Sequence, residues 1–432
     1  MQVKKADVSE IVWDVAVIGG GAAGMMAAGR AAQLGARVIL LEKNKSLGKK
    51  LLITGGGRCN VTNNEQDTRK FLTKFKDGGK FLASPFSQWS VAESLEFFHM
   101  RNMPTKVERE LRVFPLSNTA QSVWDTLVTY LKDGNVSVIS NAAVVKLDRE
   151  QTRIRSVELK DGSVVRAASF ILATGGTSHP ETGSTGDGYM WLRSLGHTVT
   201  DASAALVPIF LKEPAKGAAG VSISNAKITL FQNEAKQSQS TGKILFTHVG
   251  LSGPGILNMS REIGELLKYG EVMIELDLMP ESGFDMVNVA LQELFKTNAN
   301  KMIKNSLKEI IPPALVPLVL SCAQLDGETF CNSVTREGRI RLMKTLKHLR
   351  FEVQGLLGME KAVITAGGVS LTEVDWKSMR STKYKNLYFV GDILNIDRPS
   401  GGYSLQLCWT TGFVAGSSAA MYAREQSQVT SD

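Results

Sequence analysis

Apolar residues fall in short runs that stop at glycine, and the first three runs set the pattern. Trp13-Asp14-Val15-Ala16-Val17-Ile18 reads as a buried strand, the alanine-rich stretch 25–34 as a helix, and Arg37-Val38-Ile39-Leu40-Leu41 as a second strand ending on Glu42. Helical spacing returns over 91–100 and 120–131. Residues 136–139 and 143–147 read as strands. Residues 154–159 and 164–165 read as a hairpin about Lys160-Asp161-Gly162-Ser163, because Asp-Gly tolerates the positive φ of a tight turn. A short apolar strand over 169–173 runs into Thr174-Gly175-Gly176.

From about 200 to 280 short strands and turns take over, clearest at 207–211, 226–231 and 272–278. From about 283 to 352 the pattern is helical, broken at Pro312-Pro313 and Pro317. Leu342, Leu346, Leu349 and Val353 recur at the spacing of one helical packing face. An apolar strand over 386–390 ends at Gly391-Asp392, and a last helix is expected over 405–422. The order predicts an α/β chain with a Rossmann-like nucleotide-binding domain at 1–200 and 360–432. That domain is split by a β-rich, barrel-like module at 201–282 and a small helical module at 283–359.

Composition narrows the class. The 432 residues suffice for two or three domains, and 43% hydrophobic with 21% charged residues is ordinary for a globular protein. No apolar run reaches the ~18–20 residues of a membrane span. The opening Met1-Gln2-Val3-Lys4-Lys5-Ala6-Asp7 lacks the apolar core of a secretory signal. Cys59, Cys322, Cys331 and Cys408 form no C-x-x-C and no zinc spacing, so a cytoplasmic protein without a metal site or dithiol shuttle is expected. The net charge of +8 is uneven: residues 293–350 carry ten basic and five acidic residues. Such a stretch is either a solvated helical surface or a face that attracts nucleic acid, anionic lipid or an acidic substrate.

The chemistry sits at strand ends. Gly19-Gly20-Gly21-Ala22-Ala23-Gly24 lies between the first strand and helix, where glycines permit a tight turn and let the backbone approach a pyrophosphate. Glu42, about 20 residues on, is placed to bond both hydroxyls of an adenosine ribose, which favours FAD or NAD over NADP. Ala173-Thr174-Gly175 and Gly391-Asp392 end two later strands, where an extended dinucleotide needs clearance and polar partners. Asp392 is read as a ribitol partner. Gly401-Gly402-Tyr403 precedes the last helix, whose N-terminus suits the electron-rich edge of a flavin. The loop Thr54-Gly55-Gly56-Gly57-Arg58-Cys59-Asn60 is read as running alongside the flavin, with Arg58 either offsetting charge or pairing with a surface acid. Lys43, Lys50 and Val144 complete the candidate cofactor contacts.

The chain resembles FAD enzymes of the glutathione-reductase-like type, and more narrowly the bacterial HI0933-like flavoproteins, NAD(P)/FAD-dependent oxidoreductases that include a bile-acid reductase. Ile53-Thr54-Gly55-Gly56-Gly57-Arg58-Cys59-Asn60-Val61-Thr62-Asn63 carries the resemblance, with Ala173 to Tyr189, Thr247-His248-Val249-Gly250-Leu251-Ser252-Gly253-Pro254, and Gly391 to Gln406. The resemblance spans nearly the whole chain and implies bound FAD and a split nucleotide domain. Two positions depart from it. His179 stands where an aromatic Tyr is expected, and Arg398 lies in a stretch that is usually acidic or small.

The leading expectation is an FAD-dependent oxidoreductase, reduced by NADH or NADPH and passing hydride to a small organic acceptor such as an activated C=C bond. Ala366-Gly367-Gly368-Val369 is only a fragment of a second glycine motif, so a nicotinamide would bind transiently. His248, Tyr403 and Cys59 are the catalytic candidates, each with a structural alternative: a fixed hydrogen bond, a half-buried ring and a small buried side chain. Two other readings stay open. One is an RNA-modifying flavoprotein using the basic segment, although Phe295, Phe330 and Phe351 offer few stacking rings there. The other is a flavin-bearing redox sensor or scaffold.

Overall fold

The computed structural model describes residues 11–362 and 364–429. The chain divides into two compact units, Met1–Ser203 with Ile364–Asp432, and Ala204–Val363. The N-terminal stretch 1–7 lies outside the described residues.

In the first unit, β1 (Val12–Ile18), β2 (Val38–Leu41), β3 (Ser137–Ile139), β4 (Val164–Leu172) and β5 (Leu387–Phe389) run parallel in the spatial order β5-β4-β1-β2-β3. β1 is central and covered on both faces, so its sequence is nearly continuous apolar rather than alternating. The stretches 164–165 and 169–173, read as separate, belong largely to the single strand β4. Arg153–Leu159 pairs antiparallel with β4 across the Asp161-Gly162 turn, as the sequence leads one to expect, and Val144–Glu150 pairs on its other side. Two short antiparallel strands, Val374–Asp375 and Arg380–Ser381, extend the sheet past β5.

Two helices dominate one layer: α1 (Ala22–Gln33) and α2 (Tyr403–Val429). A Cβ on Gly412 would lie 2.7 Å from the Ala23 carbonyl oxygen, and one on Gly416 would lie 2.4 Å from that of Ala27. The absence of side chains at these two positions lets α2 press onto the α1 backbone. The matching order of the contacts makes the helices parallel, and the Arg30 Nε donates to Ser417 Oγ at 2.8 Å at the far end.

The second unit is a closed antiparallel barrel. Its strands follow the order Ile209–Leu211, Gly250–Ser252, Ala235–Phe246, Ser222–Gln232, Val272–Asp277 and Leu349–Leu356. The sequence reading carried a helix through Leu349 and Val353, and this is corrected. The helix Arg336–Lys347 ends before His348, and both residues lie on the strand that closes the barrel. That strand alternates inward Leu349, Phe351 and Val353, and they share a core with Leu342, Leu346, Val287 and Leu291 of the helices. Barrel and helices share this core within the one compact unit Ala204–Val363.

One buried polar staple holds the edge of the first unit's sheet. The His197 ring lies 2.8 Å from Glu373 Oε2 and 3.0 Å from Ser381 Oγ. This repeats the spatial order of a Ser-His-acid triad, but Ser381 is only 3% exposed and its Oγ also accepts the Lys383 and Tyr384 N–H groups. Burial keeps the imidazole neutral by lowering its pKa. Burial pushes the Glu373 carboxyl up, yet Lys383, Thr198 and His197 together outweigh it and bring the value down to about 2. The folded value lies below the unfolded ~4.3, so this stabilisation is complete above that pH and is lost as pH falls through about 2. Acid unfolding followed by circular dichroism should therefore show Glu373→Gln less stable at neutral pH, with a shallower loss of stability below pH ~4. Parallel acid limbs in the two proteins would remove the staple from the account.

Candidate functional site

The carboxyl ends of β1, β2, β4 and β5 meet at one edge of the sheet, and the glycine turn is built there. Gly19 has φ +105°, and its N–H donates to the Leu41 carbonyl at 2.8 Å. A Cβ on Gly19 would lie 2.4 Å from the Ala173 carbonyl oxygen, and one on Gly24 would lie 1.9 Å from the Gly19 carbonyl oxygen. Both positions are backbone-on-backbone contacts that only glycine permits. Gly21, at the N-cap of α1, is different: a Cβ there meets nothing within 4 Å. The N-cap of α1 thus borders open space at Gly21, the arrangement that suits a phosphate at a helix start.

Glu42 is buried and pinned at both oxygens. Oε2 accepts the Gly20 N–H at 2.8 Å, and Oε1 accepts the Asn44 backbone N–H and side-chain amide, each at 2.7 Å. The carboxylate is oriented before any ribose arrives. Lys43 turns away from it, to Asp187 at 2.7 Å and to Thr185. Asn44 also donates to the Thr182 carbonyl at 3.0 Å, so residues 182–187 lie against residues 42–44. Val144 is buried beside this corner, where Ala142 N–H donates to the Glu42 carbonyl at 2.8 Å. Sequence reasoning missed Asn44; its position two residues after the acid is the only signal it gave.

The second glycine loop uses left-handed backbone at four positions. Gly55, Gly56 and Gly57 have φ of +58°, +68° and +84°, and Cys59 has +61°. Thr54 Oγ1 donates to the Leu51 carbonyl at 2.6 Å, which fixes the loop's start. Gly56 and Gly57 border open space, whereas Gly55 is confined by Asn60. Two polar atoms at candidate positions are buried without any partner: Asn60 Oδ1 and Thr174 Oγ1. An unmatched buried polar atom costs about 1–3 kcal/mol, so a ligand that supplies the missing bonds is stabilised there. Thr177 Oγ1, on the segment after Gly175, is a third such atom that sequence reasoning did not single out.

Several sequence expectations are revised. Arg58 is committed to the protein: it pairs with Glu108, donates to Asn118 at 2.7 Å and stacks 4.1 Å over Phe114. Cys59 is fully buried, and burial pushes its thiol up to about 12, so the reactive-thiolate reading fails. Tyr403 packs against Phe71 at 4.8 Å and Phe75 at 5.9 Å, and burial raises its hydroxyl so that it keeps its proton. His248 belongs to the barrel unit, exposed in the loop before Gly250–Ser252. Gly401 and Gly402, with φ +116° and +104°, bring the chain onto Thr62 and Asn63 before α2 begins.

Charges gather next to the α1 start. Gly391, at φ +74°, would place a Cβ 3.1 Å from Ala23 and 3.5 Å from Cys408. Beside it, Asp392 Oδ1 is paired with the buried Arg398, a partner that the sequence reading of Asp392 as a ribitol ligand did not include. Lys50 donates to Ser178 Oγ at 3.1 Å; burial lowers its pKa and Asp392 opposes that.

A family profile described as HI0933-like protein Rossmann domain matches residues 13–418. The chain belongs to the HI0933-like family. It is 32% identical over 416 residues to the 3-dehydro-bile acid delta(4,6)-reductase of Clostridium scindens, covering 94% of this chain and 98% of that protein. It is 29% identical over 405 residues to the ribosomal RNA dihydrouridine synthase of Escherichia coli, covering 93% and 96%. Among solved structures, a flavocytochrome c3 fumarate reductase in its open conformation matches with TM-score 0.55 at 16% identity, over 97% of this chain and 80% of that one. The 3-ketosteroid-delta4-(5alpha)-dehydrogenase of Rhodococcus jostii matches with TM-score 0.52 at 15% identity, over 97% and 100%. This HI0933-like chain thus has the fold of FAD-dependent oxidoreductases.

Two glycines separate folding from binding. Gly24→Ala forces a Cβ into the Gly19 carbonyl and should lower stability by about 3 kcal/mol or more, the upper end for one substitution. Gly21→Ala meets no protein atom, so its melting temperature without cofactor should match wild type while its FAD affinity falls. Unchanged FAD affinity in Gly21→Ala would take the pyrophosphate away from this turn.

Proposed function

We propose that this protein binds FAD in extended form along the sheet edge and reduces an activated C=C bond at the expense of NADH or NADPH. The observation that carries the cofactor assignment is the pinned Glu42 next to the unobstructed turn at Gly21. Glu42 would take the adenosine ribose, the start of α1 at Gly21 and Ala22 the pyrophosphate, and Asn60 and Thr174 the ribitol-phosphate stretch. Gly175, Gly391, Gly401 and Gly402 leave room for the cofactor's length. Bound FAD supplies two-electron chemistry, taking hydride from a reduced nicotinamide and giving it to carbon. The protein's part is to hold the ring dry and to aim the helix α2 N-terminus at it.

The relatives' chemistry supports this acceptor class. A delta(4,6)-reductase and a dihydrouridine synthase both saturate a C=C bond conjugated to a carbonyl. A small conjugated enone is the preferred acceptor. The second reading, a uridine within RNA, is favoured by the rRNA-modifying relatives and the +8 charge. Against it, Lys301, Lys304, Lys347 and Arg350 of the basic segment pair with Glu309, Glu328, Asp277 and Glu275, leaving less charge for phosphates. Its four cysteines are free, and no described helix is long and apolar enough to cross a membrane; we place it in the cytoplasm.

Anaerobic mixing of the FAD-loaded protein with NADH and with NADPH should bleach the flavin band near ~450 nm. A steroidal 4-en-3-one should then restore the band, while a uridine-rich RNA should not. Dihydrouridine formation in RNA with no response to the enone would transfer the assignment to the second reading. No bleaching by either nucleotide would remove the nicotinamide donor.

A further inference from the structure

Three charged side chains, Lys50, Asp392 and Arg398, lie together at the sheet edge. Arg398 is the most buried of them, with 1% of its side chain exposed. Its guanidinium pairs with Asp392 Oδ1, and it donates from Nη1 to the Ile396 carbonyl at 2.9 Å and from Nε to Ser404 Oγ at 3.0 Å. Ser404 is in the first turn of α2, so Arg398 adds a fixed positive charge to the positive end of that helix. Lys50 reaches the same place from the short helix Lys49–Ile53, close enough that Asp392 and Arg398 each act on its amine. The half-buried Cys408 thiol feels all three charges and abuts Gly391, which in turn abuts Ala23 of α1. The cluster therefore borders the start of α1, inside the region assigned to the dinucleotide.

Charge counting gives the consequence. Arg398 and Asp392 cancel, and Lys50 leaves the group at net +1. In a buried setting an extra unit charge acts at long range, since little water screens it. We propose that Lys50, Asp392 and Arg398 act as one charge group that favours the reduced flavin, and that the flavin's midpoint potential follows the net charge of the group. The three are positioning residues and take no part in bond making. This inference rests on the FAD reading above.

The test measures the midpoint potential of the bound flavin by anaerobic spectroelectrochemistry, with bound FAD and melting temperature recorded for each protein. Lys50→Met and Arg398→Met bring the group to zero, and each should shift the reduction equilibrium at least tenfold toward oxidised flavin, about 30 mV for a two-electron couple. Asp392→Asn brings it to +2 and should shift the equilibrium the other way. The double variant Arg398→Met with Asp392→Asn restores +1 and should return close to the wild-type potential. A merely structural role predicts no such return, because the double variant lacks both halves of the ion pair. Should Arg398→Met fail to fold, Lys50→Met and Asp392→Asn still give shifts of opposite sign. Potentials that ignore the charge count, in proteins that hold FAD, overturn this inference and leave the cofactor reading intact. A wild-type protein that holds no FAD overturns both.

Discussion

At the first turn of α1 the protein packs backbone against backbone, and the remaining site geometry depends on that contact. Gly24 lies on Gly19, and Gly19 lies on Ala173 at the end of β4. On the other side, Gly412 and Gly416 let α2 lie on the carbonyls of Ala23 and Ala27. Removing four side chains thus draws β1, β4, α1 and α2 together at one edge. The consequence is local and chemical. Both helix N-termini fall at the carboxyl edge of a parallel sheet, where their unpaired amides attract negative charge.

The same edge holds groups that a folding argument alone would avoid. Asn60 Oδ1 and Thr174 Oγ1 are buried without partners, and Lys50 is half-buried with a hydrogen bond to Ser178 Oγ and Asp392 nearby. Each is unfavourable in the isolated chain. By contrast, the groups of the His197, Glu373 and Ser381 staple are hydrogen-bonded to one another, with His197 and Ser381 buried, despite the resemblance to a hydrolase triad. Unsatisfied groups beside clearance mark a binding site; mutually satisfied groups mark structure.

The nucleotide unit was legible because its signals are local. A strand, a glycine turn, a helix and an acid lie within residues 12–42, and each has its own sequence mark. The barrel's last strand was not, because Leu342, Leu346, Leu349 and Val353 fit a helical period while the chain turns at His348 and continues with period two. The small sheet of Thr62–Asn63, Arg112–Pro115 and Thr105–Val107 was missed for a related reason, as strands of two to four residues carry too little periodicity. The Lys50, Asp392 and Arg398 group joins residues over 300 positions apart, and only the tertiary fold assembles it. Arg398 was visible in the sequence as a departure, yet nothing there showed that its partner is Asp392.

The central claim is that one extended dinucleotide lies along this edge and contacts all the glycine-bearing segments together. Hydrogen–deuterium exchange of the protein with and without FAD tests it most directly. FAD should slow exchange in four separate segments, 20–24, 55–60, 174–177 and 391–403, with little change in the barrel strands. Protection confined to residues 20–24, or found chiefly within 204–363, would contradict the claim.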